Sequence, residues 1–260
     1  MRATLRSLLL GLAVFTPPAL ATADNTAHTP QRIVSLDLCM DWMLAHYAEP
    51  DRVASLSSMH LRYPVSWITQ PWPHHDGTLE QIVRLQPDLI LTGEYSALLL
   101  RERLRTLGYR VAVMPLPSTL NQVEAYERQL LTLIGGDPEQ ATPAPAASSP
   151  AADAPRLLLL DANAIGTGHA TFEHQILQQA GWRNYLADAG LVQLDLEQIV
   201  SDPPDAILFA APKHQALANR FAEHPVLRRA VPANAWLDSE YWRWQCPGPW
   251  TWDLIRQLTP

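Results

Sequence analysis

The sequence predicts an α/β protein of two Rossmann-like lobes, each a parallel sheet flanked by helices, facing one another across a cleft. Three observations carry that expectation. A thirteen-residue unit occurs twice: Leu79–Leu91 reads LEQIVRLQPDLIL and Leu196–Leu208 reads LEQIVSDPPDAIL, identical at nine positions and 117 residues apart. Such self-similarity marks one structural unit used in each of two halves. Apolar runs suited to strands alternate with helix-like stretches, as in parallel sheets, and a Pro, Ala and Ser-rich segment separates the halves.

The repeat reads as helix then strand. Thr78 and Asp195 are candidate N-caps, and Gln81 and Gln198 follow three residues later, the spacing of a capping box. Leu79, Ile82 and Val83, with Leu196, Ile199 and Val200, recur at helical spacing and are expected to face inward. Pro87 and Pro204 end the helices, and the apolar runs that follow suit strands buried on both faces. Glu80 and Glu197 sit at the second helical position, outside the inward stripe. The helix macrodipole alone favours a carboxylate there; the sharper reading is one acidic knob per lobe.

Taken in order, residues 1–23 read as a secretory signal: Arg2 and Arg6, an apolar run Leu8–Phe15, then Ala19-Leu20-Ala21. The run is too short to span a bilayer, and no Cys lies near it to carry a lipid, so a soluble exported protein is expected. Without the signal, 17 basic residues face 26 acidic ones, a balance that argues against nucleic acid or an anionic membrane as partner. The two cysteines, Cys39 and Cys246, could bridge, stay as thiols near a ligand, or be two unrelated buried thiols.

The first lobe, 24–118, begins with a strand at Arg32–Leu36, a helix at Cys39–Tyr47 and a strand at Arg52–Leu56. Ser57–Gly77 is expected to be irregular, and a loop at the carboxyl end of a strand is where open α/β sheets carry ligands. After the repeat come a helix at Ala97–Leu107, Gly108 as its C-cap, and a strand at Tyr109–Met114. Residues 119–155 join the lobes: a helix at Thr119–Ile134, then an extended or disordered connector from Asp137, where Pro138, Pro143, Pro145, Pro150 and Pro155 forbid a continuous helix. The second lobe, 156–260, offers a strand at Arg156–Leu160, helices at Thr171–Ala180 and Lys213–Ala222, a strand at Asn234–Leu237 and a last helix at Pro249–Leu258.

Several stretches resemble the periplasmic binding proteins for ferric siderophores and vitamin B12: Arg32-Ile33-Val34-Ser35-Leu36 behind a signal peptide, the Glu-bearing helix leading into Leu85-Gln86-Pro87-Asp88-Leu89-Ile90, Leu107-Gly108-Tyr109-Arg110-Val111, Ala180-Gly181-Trp182-Arg183-Asn184, and Cys246-Pro247-Gly248-Pro249. The resemblance implies a monomeric periplasmic receptor, not an enzyme, that captures a metal chelate in the ligand cleft between its lobes and delivers it to an inner-membrane ABC permease. It implies no resident cofactor, and it places permease docking on Glu80 and Glu197. The family joins its lobes by a long rigid helix, and the connector here departs from that.

For the cleft, the first lobe offers Tyr63, Trp67, Trp72 and Tyr95, and the second Ile165, His169, Tyr241, Trp242, Arg243 and Trp244. Aromatic faces with a few polar groups suit a large planar or amphipathic guest. Any single Trp is more commonly core. Arg243 could hold a ligand carboxylate or phosphate, or pair with Glu240 or Asp238. His169 could reach an open axial site of a haem or corrinoid, or simply be a hydrogen-bonded loop residue. His74-His75-Asp76 suits a solvated turn better than a metal site, and no metal ligand set is expected. The alternatives are a haem or free-metal receptor, the latter needing converging His and carboxylates that cannot be assembled, and a periplasmic enzyme, for which no GxSxG or HExxH motif is present.

Overall fold

The computed structural model describes residues 29–211, 216–240 and 242–260. The expected signal (1–23) and Tyr241 lie outside the described residues. In the first lobe β1 (Ile33–Ser35), β2 (Val53–Ser57), β3 (His74–His75), β4 (Leu89–Gly93) and β5 (Val111–Met114) form one sheet in the order β3-β2-β1-β4-β5. Every pair is parallel. Helices α1 (Leu38–Tyr47), α2 (Met59–Arg62), α3 (Leu79–Arg84) and α4 (Leu98–Thr106) make the connections. The stretch expected to be irregular thus holds a short helix and an edge strand, and His75 is buried rather than in a solvated turn.

The lobes are joined by α5 (Asn121–Ile134), which at about 1.5 Å per residue is roughly 21 Å long. Leu120 and Val123 at its start pack into the second lobe's core with Leu157, Phe172 and Trp252. Tyr126, Leu130 and Ile134 pack into the first lobe's core with Ile33, Trp42 and Leu89. Gly135 ends the helix at φ +71°, where a Cβ would sit 2.6 Å from Thr29, so only glycine fits. The Pro/Ala connector then runs back as an extended strap along α5. The Thr142 N–H donates to Glu127 (2.8 Å), the Ala144 N–H to Glu124 (3.1 Å) and the Ser148 N–H to Gln179 (2.9 Å). Its prolines remove the donors a helix needs, and Glu124 and Glu127 of α5, with Gln179, satisfy these three of the donors that remain.

In the second lobe β6 (Arg156–Leu160), β7 (Ile165–Thr167), β8 (Arg183–Asn184), β9 (Leu191–Gln193), β10 (Ala206–Phe209) and β11 (Trp236–Leu237) form a sheet in the order β11-β10-β6-β7-β9, with β8 beside β6. Its helices are α6 (Phe172–Gln179), α7 (Leu196–Ser201), α8 (Pro225–Ala230), α9 (Trp242–Gln245) and α10 (Trp250–Leu258). This sheet is mixed, not parallel: β7 runs antiparallel to β6, and β9 antiparallel to β7. Residues 161–164 are too few for a crossover, which needs a dozen or more, so β7 has to turn back as a hairpin. Of the helix expected at Lys213–Ala222, residues 213–215 lie outside the described residues, and the rest holds only a 3-10 turn, Leu217–Asn219. The α-helix of this region is α8, with Pro225 at its first position.

The two copies of the repeat form the same elements at equivalent positions. Helices α3 and α7 span equivalent residues, and Thr78 and Asp195 cap them through the backbone N–H groups of Gln81 and Glu197. Ile82 and Ile199 are buried. Val83 is half-buried against its core, but Val200, expected to face inward, is exposed. Beyond the repeat, β1 pairs with β4 as β6 pairs with β10, so each lobe sets its first strand against the repeated one.

Candidate functional site between the lobes

The carboxyl ends of β1, β2 and β4 are locked together by acids. Asp37 caps α1 through the Met40 N–H (3.1 Å) and also accepts from the Gly93 N–H at the end of β4 (2.5 Å). Asp41, fully buried, accepts from the Ser57 N–H (2.8 Å) and hydroxyl (2.5 Å) at the end of β2. Burial raises both acids against these hydrogen bonds, Asp41 to about 7. His75 donates from Nε2 to the Ser35 carbonyl (2.7 Å), since Nδ1 accepts from the Gly77 N–H; burial lowers its pKa. On the second lobe Asp161 follows β6, and burial raises it as it raises Glu173 on α6, which Asp161 pushes further. Asp161 follows β6 directly and Asp37 follows β1 after Leu36, so in the sequence both are marked only by standing at the carboxyl end of a lobe's first strand.

A disulfide joins Cys39 to Cys246, residues 207 apart in the chain. It fastens the start of α1 to the segment before α10. Aromatic rings gather beside it. Trp42 meets Trp67 edge-on at 5.4 Å and Trp250 at 5.5 Å, Trp67 stacks on Trp250 at 5.3 Å, and Tyr63 lies 3.6 Å from Trp242. The Arg243 guanidinium sits 5.4 Å from the Trp67 ring centre and pairs with Glu240 at 2.7 Å. Cation–π and ion pairing together hold this Arg in a nearly buried place. Tyr63 and Trp67 come from the first lobe, Trp242, Arg243 and Trp250 from the last two helices.

Of the residues singled out by sequence, the structure therefore brings Tyr63, Trp67, Trp242 and Arg243 together where the lobes meet. Trp72 (6% exposed) belongs to the first lobe's core and Trp244 (2%) to the second's, where its indole N–H donates to the Ser239 hydroxyl. Both rings cover apolar surface inside a lobe instead of lining a gap. Tyr95 is 75% exposed beyond the end of β4. Ile165 stands beside Asp161, whose N–H it accepts (2.7 Å), at the seam end of the sheet. His169 does not face the seam: β7 carries the chain the other way, and His169 lies in a concavity with Arg156 and the β8 residues that pair with the amino end of β6. Trp42 and Trp250, on which Trp67 packs, read as core in the sequence, a Trp in a helix with apolar neighbours, and the structure buries both in the first lobe's core.

Glu80 and Glu197 are exposed at the starts of α3 and α7. Each helix start follows a strand that runs parallel to its lobe's first strand, β3 in one lobe and β9 in the other, so both acids stand on the carboxyl-end side of their own sheets.

No family model and no curated protein sequence matches the chain. Solved structures do. The periplasmic haem-binding protein of Pseudomonas aeruginosa aligns over 88% of this chain and 91% of its own, with 22% identity and a TM-score of 0.66. The haem-binding protein HutB of Vibrio cholerae aligns over 88% and 97% (16% identity, TM-score 0.68), and the vitamin B12-binding protein BtuF of the same organism over 89% and 96% (18%, 0.61). Across nearly its whole described length, this chain has the two-lobed fold of the periplasmic haem-, vitamin B12- and iron-binding proteins.

Proposed function

We propose that the chain is a periplasmic solute receptor that takes a metal chelate, of the haem, corrinoid or ferric siderophore kind, between its lobes and presents it to an ABC permease. The observation that carries this reading is the meeting of Tyr63 and Trp67 from the first lobe with Trp242 and Arg243 from the second at the seam; the exposed acids of the duplicated helix, Glu80 and Glu197, support its second half. Flat rings suit a macrocycle, and Arg243, held by Glu240 and Gln257, keeps its guanidinium against the Trp67 ring that the guest would meet. In this arrangement the rings touch one another, so a guest enters as the Tyr63–Trp242 contact parts. Glu80 and Glu197 serve as the docking points, steering the receptor onto basic residues of the permease. The chain binds without turnover and holds no cofactor of its own; the metal is cargo. The fold likeness to proteins named for haem and vitamin B12 supports the ligand class.

Titrating the mature protein with haem, cyanocobalamin and a ferric siderophore while following Trp fluorescence tests the reading. Saturable quenching by at least one is expected; no quenching by any of them overturns it. For docking, Glu80→Arg with Glu197→Arg should abolish uptake and leave chelate affinity unchanged. Lost affinity in that variant would make the two acids part of the site.

A further inference from the structure

The concavity that holds His169 is a second site candidate, of roughly 420 Å³ and separate from the seam. Its lining is basic in a chain whose net charge is negative: His169, His174, Arg156 and Arg183, with Asn184 and Tyr185. Arg156 is already matched, forked onto Asp202 at 2.8 and 3.0 Å, near Asp205 and over the Tyr185 ring. Arg183 is different: it is exposed on β8 and has no side-chain partner among the described residues.

His174 is set as a donor. Asn184 accepts the Leu186 N–H on its oxygen (3.0 Å), so its amide nitrogen donates to the Thr167 carbonyl (3.0 Å) and faces His174 Nδ1 (3.3 Å). That makes Nδ1 the acceptor and puts the His174 proton on Nε2. The His169 ring stacks on His174 at 4.3 Å, and its backbone is pinned on both sides, N–H to Asp188 and carbonyl from Gly190. Gly168 permits this approach, because a Cβ there would stand 2.1 Å from the Asp188 carbonyl oxygen. Near-parallel imidazoles direct their lone pairs side by side, not at one point, which disfavours a shared metal ion; no group of three or more metal-ligating side chains exists among the described residues.

We propose that this concavity binds an oxyanion, a phosphate or carboxylate group, with Arg183 as the charge partner and His174, stacked on His169, as a donor. Asp202 and Asp205 are engaged by Arg156, so Arg183 supplies the unmatched charge. The inference does not rest on the chelate-receptor reading, since no residue of the seam takes part.

The test titrates inorganic phosphate, and separately acetate, into the mature protein and follows the His169 and His174 ring signals by NMR, assigned with His169→Asn. Saturable shifts are expected in the wild type, weakened at least tenfold in Arg183→Glu, whose melting temperature should match the wild type because the side chain is exposed. Absent shifts, or shifts equally strong in Arg183→Glu, overturn the proposal. Sedimentation with phosphatidylglycerol vesicles, against phosphatidylcholine vesicles, identifies the source. Capture lost in Arg183→Glu means a lipid headgroup; phosphate saturation without capture means a soluble anion. Chelate binding in Arg183→Glu should be unaltered, which keeps this result distinct from the receptor assay.

Discussion

The two lobes start from the same thirteen-residue unit and end with different surroundings for it. In the first lobe every strand runs the same way, so all carboxyl ends collect at the seam, where Asp37, Asp41 and Ser57 bind them together. In the second lobe a four-residue connection reverses β7, and part of the chain that the repeat seemed to promise to the seam is delivered to a separate concavity. A duplicated helix–strand unit therefore secures its own local geometry but not the destination of the loops around it. That destination depends on strand direction, which connection length sets.

The comparison can be broken first at the disulfide, the one covalent tie between the seam faces of the two halves. Cys39→Ser with Cys246→Ser should cost about 2 to 5 kcal/mol in urea unfolding, as for loops of this order. An unchanged midpoint would mean that α5, α10 and the strap alone hold the lobes together.

Next is Asp41. Its folded-state pKa is raised from 3.8 to about 7, so the folded state binds the proton more tightly than the unfolded chain does. Its contribution is fully present below pH 3.8 and is lost as pH rises through 7. Three units correspond to on the order of 4 kcal/mol. Asp41→Asn should therefore gain stability relative to the wild type between pH 4 and 7, measured by urea melts across that range. His46, His75 and His174, whose pKa values burial lowers, act in the opposite sense in both proteins and cancel in the difference. A pH-independent difference would show that Asp41 stays ionised in the fold.

Gly168→Ala sharpens the comparison on the second lobe. The added methyl collides with backbone, so a loss of roughly 1 to 3 kcal/mol is expected, with the His169 ring signal displaced. An unperturbed His169 signal would show that the loop yields cheaply. The smallest effects belong to the repeat. Thr78→Ala and Asp195→Ala should each cost about 1 kcal/mol. Asp195 should cost more, because its bond to the Glu197 N–H (2.8 Å) is shorter than that of Thr78 to Gln81 (3.4 Å). The reverse order in thermal melts would mean that the length of the capping bond does not rank the two caps.

Legibility followed locality. The caps at Thr78 and Asp195, the stop at Gly135, and helices α4, α5, α6 and α10 were readable to within a few residues, because periodicity and capping act over one or two turns. The aromatic residues were not separable in the same way. Trp67 and Trp72 lie five residues apart in one Pro-rich stretch, yet Trp67 stays half-buried at the edge of the first lobe's core, stacked on Trp250 of α10, while Trp72 is buried in that core. A Trp offers the same apolar area to a core or to a guest, so sequence spacing does not tell them apart.

By itself the sequence determined a doubled α/β protein, its two acid-bearing helices and a connector that is not a helix. Hydrophobic period, caps and proline geometry act on neighbours along the chain. The tertiary structure alone decided that Cys39 meets Cys246 across 207 residues, that the strap lies pinned along α5, and that His169 turns from the seam toward Arg183. Each of these joins groups far apart in sequence, and such a meeting exists only once the sheets have set where every loop must end.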